Sequence, residues 1–366
     1  MRNLFLAFAL LMFGSAVFAQ QQSSEKAPVN DSIPAQDTVS VLSESDMQAA
    51  EKLYNEGVEL YTKGEFRKAL HSFGEAVKIK PNFPKAYYNA ALCFIELKNP
   101  DSALVNLNNV ILLDEYDKAY YLRGTVWVDL NELSDAKADF EQAVAIDSST
   151  VRGESYYYLG GIAFEKGNYE EAIQLYDSSL KYKPDYAFAF NDRGSAKRML
   201  KKYDEAIADY QKAVAADPTM AISYSNMGSV QRKQEKLDEA IKSYSKAIEI
   251  KPDFVIAYNL RGVAYKDKGE YNKALADFDK ALQLDSAYIY AYNNRGNVKY
   301  KMKEYEAALK DYNLAIELDP DYGFAYLNRA IVREMLRDMK GACEDWRKAY
   351  QLGIESAKAY LPQCEK

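Results

Sequence analysis

The sequence predicts an all-α solenoid of about nine helix-turn-helix repeats with a C-terminal capping helix. Three observations carry that expectation. Ala69, Ala103, Ala136, Ala172, Ala206, Ala240, Ala274, Ala308 and Ala342 are separated by 34, 33, 36, 34, 34, 34, 34 and 34 residues. Small, aromatic and Pro residues recur at fixed offsets from those alanines, and no stretch reads as a β-strand. Nine copies at a near-constant period mean stacked repeats rather than separate domains, because each copy leaves an apolar face that only its neighbour can cover.

The chain starts with a short basic segment, Met1-Arg2-Asn3, and an apolar run from Leu4 to Phe13. Small residues follow, with Val17 and Ala19 at the −3 and −1 positions of a cleavage site before Gln20. This pattern predicts a signal peptide over residues 1–19. A membrane anchor is the alternative, but the apolar run falls short of the roughly 20 residues a spanning helix needs. No Cys lies near the cleavage point, which argues against a lipid anchor. The expected location is a bacterial periplasm, with secretion or association with the outer envelope as the alternative. Residues 20–46 are rich in Gln, Ser, Pro and Asp, lack a helical period, and read as a disordered tether.

Residues 47–352 hold the repeats, at about 50–83, 84–116, 117–152, 153–186, 187–220, 221–254, 255–288, 289–322 and 323–352. Let position 1 be the residue nineteen before each key Ala. Position 8 is small: Gly57, Ala91, Gly124, Gly160, Gly194, Gly228, Gly262, Gly296 and Ala330. Position 24 is large: Phe73, Leu107, Phe140, Tyr176, Tyr210, Tyr244, Phe278, Tyr312 and Trp346. Position 4 is aromatic in most repeats, with Leu53 as the exception in repeat 1. A small residue at 8 lets helix A approach the face of helix B that carries the key Ala, and the rings fill the space beside that contact. Lys63-Gly64 and Lys268-Gly269 end helix A, and Pro residues such as Pro184 and Pro252 stop helix B. Two extra residues near Ser149 and Thr150 separate repeats 3 and 4.

These offsets resemble those of the tetratricopeptide repeat family over about residues 50–352. The resemblance implies a right-handed α-solenoid whose inner surface is lined by helix A at positions such as 2, 5, 6, 9, 12 and 13. It also implies protein–protein interaction as the kind of work. At those positions the first half carries Tyr54, Tyr61, Tyr88, Tyr121, Tyr157 and Tyr158, with Asn89 among them. The second half carries Asn191, Asn226, Asn259, Asn293, Asn294, Asn297 and Asn328, and is similar to the Asn ladder of the tetratricopeptide superhelix in O-GlcNAc transferase. Asn pairs with peptide backbone irrespective of sequence, and Tyr offers broad amphipathic contact. The expectation is a groove for an extended polypeptide of a cell-envelope partner. Polar residues that simply face solvent, and Tyr rings spent on packing, are the alternative. Asn89 and Lys118 match two places of the chaperone-type carboxylate clamp, but Tyr54, Val58 and Leu122 occupy the others, so that clamp is not expected.

Position 7 is Arg in five repeats, Arg123, Arg193, Arg261, Arg295 and Arg329. The same five have Asp at position 23: Asp139, Asp209, Asp277, Asp311 and Asp345. The coincidence predicts ion pairs between helices A and B of one repeat. A row of anion-binding Arg is the alternative, but each Arg has a matched acid. After repeat 9, residues 353–366 read as a cap. Cys343 stands at position 21, where other repeats have Leu or Ile, and so points toward the cap that carries Cys364. In an oxidising compartment a Cys343–Cys364 disulfide is expected, with two free thiols as the alternative.

The single His, His71, and three Cys exclude His-rich and four-Cys zinc sites. The net charge of −7 argues against nucleic acid as a partner. No nucleophile–base set, phosphate loop or acidic calcium loop is present, so neither a cofactor nor catalysis is expected. A second functional reading is a binder of cell-envelope glycan, or an envelope-assembly accessory protein, using the Tyr half as a stacking surface.

Overall fold

The computed structural model describes residues 42–114, 116–146 and 149–364. The signal segment and the tether up to residue 41 lie outside the described residues. The first helix, Glu44–Thr62, starts inside the stretch read as tether, because Ser43 caps it: its Oγ accepts from the Asp46 amide at 3.1 Å.

Among the described residues eighteen α-helices form nine antiparallel pairs, followed by a 3-10 helix over Glu355–Cys364. Packing groups them into two units, one ending at Pro184 with repeats 1–4 and one from Asp185 with repeats 5–9 and the cap. Within each unit, helix A packs on its own helix B, and helix B on the next helix A.

The close approach is the one expected from the small residue at position 8. An added Cβ on Gly262 would lie 2.7 Å from Cε1 of Phe278, and one on Gly194 would lie 2.9 Å from Cε1 of Tyr210. The key alanines and the rings at position 24 are buried, Tyr210, Tyr244 and Phe278 completely. Repeat 2 makes the same contact with the exchange reversed, Ala91 at position 8 and the thinner Leu107 at 24, both fully buried.

Position 15, the turn between A and B, takes a left-handed backbone in every repeat. Only Gly64, Gly167 and Gly269 meet it with glycine. Lys98, Asn131, Lys201, Glu235, Lys303 and Arg337 hold φ between 55 and 64° there. The turn is thus imposed by helix packing in six of nine cases, against a local cost for a residue with a Cβ.

The extra residues between repeats 3 and 4 are held at both ends. Asp117 Oδ2 accepts from the Thr150 amide at 2.7 Å, and Arg152 donates to the carbonyls of Val144 and Ile146 at 3.1 and 2.8 Å. At the C-terminus Cys343 is bonded to Cys364, and Tyr360 stacks on the buried Trp346 at 5.0 Å between ring centroids. The cap is a 3-10 segment rather than an α-helix, and it covers Ala330, Ala342 and Trp346 with Tyr360 and Leu361. Cys93 is free and buried, and burial pushes its thiol up to about 11.

Two outcomes follow. Gly262→Ala gains about 1 kcal/mol of helix propensity but overpacks the ring at a cost of about 1–3 kcal/mol, so it should lower the denaturant midpoint. In a Phe278→Leu background the same change should be neutral or stabilising, as the pairing in repeat 2 implies; a cycle without this sign reversal rejects the contact as the cause. Cys364→Ser should cost about 3 kcal/mol, and reductant should bring the native chain to the same midpoint, measured by chemical denaturation with and without thiol.

Candidate functional site

All five position-7 arginines grip their own Asp. Arg261 donates through Nε to Asp277 Oδ2 at 2.8 Å and through Nη2 to Oδ1 at 2.7 Å. The fork recurs for Arg123 with Asp139, Arg193 with Asp209, Arg295 with Asp311 and Arg329 with Asp345. The aspartates are buried, Asp209 and Asp311 at 1% exposure. The third arm was not legible from the columns. Nη1 reaches position 25 of the preceding repeat: Arg123 to Asn108, Arg261 to Ser245, Arg295 to Asp279 and Arg329 to Asn313, at 2.7–3.0 Å. Each of these four guanidiniums therefore ties three helices. Burial alone would lower the Arg261 pKa, but Asp277 outweighs it and holds the guanidinium above its ordinary range.

The asparagines form links of a second kind. Position 5 of one repeat accepts from position 6 of the next. Asn191 Oδ1 takes Asn226 Nδ2 at 3.2 Å, Asn259 takes Asn294 at 3.0 Å, and Asn293 takes Asn328 at 2.8 Å. In the other unit Asn89 Nδ2 donates to the Tyr54 hydroxyl at 2.9 Å in the same register. Asn191, Asn226, Asn259 and Asn293 are buried. Much of the expected ladder is thus spent on joining repeats.

The tyrosines of repeats 1–4 are also engaged. Tyr54 packs on Phe73 and Phe83, Tyr61 on Phe66, and Tyr88 on Tyr116. Tyr121 contacts both Phe140 and Tyr158, Tyr158 stacks on Phe140 at 4.9 Å, and Tyr157 meets Tyr176. None of the six is exposed, and burial pushes the Tyr88 hydroxyl up to about 12. The surroundings are those of core rings rather than of a free stacking platform.

An open cleft of about 510 Å³ lies in repeats 7–9. Helix A supplies Lys266, Asp267, Asn297, Tyr300, Lys301, Asn328 and Ile331, all at positions 6, 9, 12 or 13; helix B adds Tyr271 and Tyr312. Of the expected groove residues only Asn297 and Asn328 line it. Asn297 Oδ1 accepts from the Tyr312 hydroxyl at 2.8 Å, which fixes the amide. The change in residue type down positions 12 and 13 is the sequence signal for these cations. A further row belongs to this unit. Position 2 is Glu51, Lys85, Lys118 and Glu154 in repeats 1–4 but Phe188, Ile222, Ile256, Tyr290 and Phe324 in repeats 5–9. Tyr290 sits edge-on to Tyr288 and Tyr322 at 5.4 and 5.6 Å, and Phe324 is 51% exposed.

Among the described residues no cluster of three or more His, Cys, Asp or Glu side chains could hold a metal ion, and no helix is long and apolar enough to cross a membrane. His71 is exposed.

Paired helices at a 34-residue period, closed by a small-residue contact, define a helical repeat protein. Models described as tetratricopeptide repeat match residues 54–120, 121–187, 163–221 and 289–322, and one described as TPR repeat matches 228–269 and 264–303. The chain belongs to the tetratricopeptide repeat family. It is 26% identical over 137 residues to BBSome complex member BBS4 of Bos taurus, covering 37% of this chain and 26% of that protein. Tetratricopeptide repeat protein 6 of Homo sapiens is 27% identical over 146 residues, 40% of this chain and 28% of that protein. The chain thus spans about a quarter of the length of these relatives. A solved tetratricopeptide repeat protein from Parabacteroides merdae shares the fold, with a TM-score of 0.56 at 18% identity over 68% of this chain and 99% of that one. Proteins of this family are in general protein-interaction scaffolds.

The fork between Arg and Asp predicts an asymmetry. Asp277→Ala strands a half-buried guanidinium and should cost about 3–5 kcal/mol. The double change with Arg261→Leu should cost less. Equal unfolding midpoints for the two variants would count against the pair.

Proposed function

We propose that this chain is an exported, non-catalytic scaffold that holds an extended segment of a partner polypeptide along helix A of repeats 7–9. The cleft there is the observation that carries the reading. It combines a fixed amide at Asn297, the Tyr300 ring, the apolar Ile331 and the ammonium of Lys301 within one open space. Amide and hydroxyl groups match a peptide backbone, and ring and aliphatic surface match its side chains. The apolar row at position 2 adds an exposed ring to the same unit at Phe324, while Phe188 and Ile222 pack against the core. A glycan platform on the Tyr half has less support, because those rings are committed to packing. The N-terminal pattern and the Cys343–Cys364 bond both suit an oxidising compartment such as the periplasm.

A photoreactive amino acid placed at Ile331 in the native host should give a discrete adduct with a polypeptide. The same group at Lys310, on the exposed face of helix B, should not. Equal yields at both sites, or adducts at Lys310 alone, would reject the cleft as the contact. Fractionation of the same cells should find the chain in the periplasm with Gln20 as its first residue.

A further inference from the structure

We infer that the segment held by this unit is acidic, with carboxylates about three residues apart that meet a row of cations at position 12 of helix A whose charge one acid only partly answers. This rests on the peptide-groove reading above and adds the chemical class of the peptide.

Position 12 is apolar in repeats 1–4, with Tyr61, Ile95, Val128 and Phe164. In repeats 5, 6 and 7 it is Arg198, Arg232 and Lys266, and the row ends at Tyr300 and Glu334. An apolar position has become cationic in three successive repeats, where a folded core gains nothing from charge.

The cations at positions 7 and 11 of helix A in this unit have carboxylates. The arginines at position 7 hold the buried aspartates. At position 11, Lys197 reaches Asp209 at 2.8 Å, Lys299 reaches Asp311 at 2.8 Å, and Arg333 reaches Asp345 at 2.9 Å. The position-12 row shares a single acid. Asp267 takes Arg232 Nη1 at 2.8 Å and Lys266 Nζ at 3.4 Å. Arg198 has no carboxylate partner among the described residues. The Nε atoms of Arg198 and Arg232 are both buried and make no hydrogen bond. Both guanidiniums act on the hydroxyl of Tyr244, so they share one neighbourhood rather than pointing apart. Beside them at position 9 stand Ser195 and Ser229, each within 3.2 Å of a tyrosine hydroxyl. Lys266 then lines the open cleft.

Asp192 and Asp209 act with Arg198 on the Tyr210 hydroxyl but lie buried; on the more open side two guanidiniums and an ammonium share the single ion-paired carboxylate of Asp267, a positive stripe on a chain whose net charge is −7. Carboxylates answer it best, because each can accept a forked pair from Arg. The spacing fixes the pattern. Helices A of repeats 5, 6 and 7 touch in succession, and packed helices lie roughly 8–10 Å apart. That step equals about three residues of extended chain.

The test is selection from a random dodecapeptide display library on the full mature chain at low salt. The expected winners carry Asp or Glu at a spacing of three and bind at least tenfold more weakly when those residues become Asn or Gln. Arg198→Gln with Arg232→Gln should lose at least tenfold in affinity for the same peptides. Arg198→Lys with Arg232→Lys should keep most of it, with unchanged thermal unfolding of both variants as the check on folding. Neutral or basic winners, or acidic winners indifferent to the Gln pair, would overturn the inference and leave the groove reading intact. No enrichment over library panned without protein would overturn the groove reading and the inference with it.

Discussion

The contact on which the structure depends is the seat of a ring on a bare helix backbone. At position 8 helix A presents no side chain beyond a hydrogen or a methyl, and the ring from position 24 occupies the space. Gly262 under Phe278 and Gly194 under Tyr210 leave no room for a Cβ without displacement. Dense packing of this kind sets the distance between A and B, and once that distance is set the turn has little freedom. That is why Glu235 and Lys303 accept a left-handed backbone that glycine would adopt at lower local cost.

Polar groups then fix how one repeat meets the next. A guanidinium that forks onto its own Asp and reaches back to Asn313 or Ser245 constrains register in a way that apolar contact cannot, because hydrogen bonds are directional. The amide links between positions 5 and 6 do the same on the other side of helix A. A break in those links is instructive. Repeats 6 and 7 present Ser225 and Leu260 at the two positions, and the Ser225 hydroxyl is left buried without a partner. At that junction the apolar cluster of Tyr244, Ala264 and Leu260 joins the Arg261–Ser245 bond and the Arg232–Asp267 pair.

The period, the small-residue contact and the Arg–Asp pairs were legible in the sequence because each relates fixed offsets within one repeat. A residue type and its partner then change together from copy to copy, as in the repeat that has Leu159 with Leu175 in place of the ion pair. The asparagines were harder to read for a physical reason. The same side chain that suits a peptide backbone also suits another amide, and the partner lies 35 residues away in the next copy. Likewise a Tyr at a groove position reads as surface until its neighbours are known; Tyr158 lies flat on Phe140 because repeat 3 supplies that ring. The cleft cations went unread because no acid varies with them.

The molecule carries two kinds of charge. A buried charge retained for stability carries its counter-charge with it, since an unpaired ion in the interior is expensive and the pair is what folding preserves. Asp209, held by Arg193 and Lys197 at once, is such a case. Arg198, one residue beyond Lys197 on the same helix, has the opposite character: half-buried beside Tyr210 and Tyr244, and in no ion pair among the described residues. Folding gives no return for that arrangement, and an apolar residue serves the same position in repeats 1–4. A cation kept under those terms is best explained by a counter-charge that arrives from outside the chain.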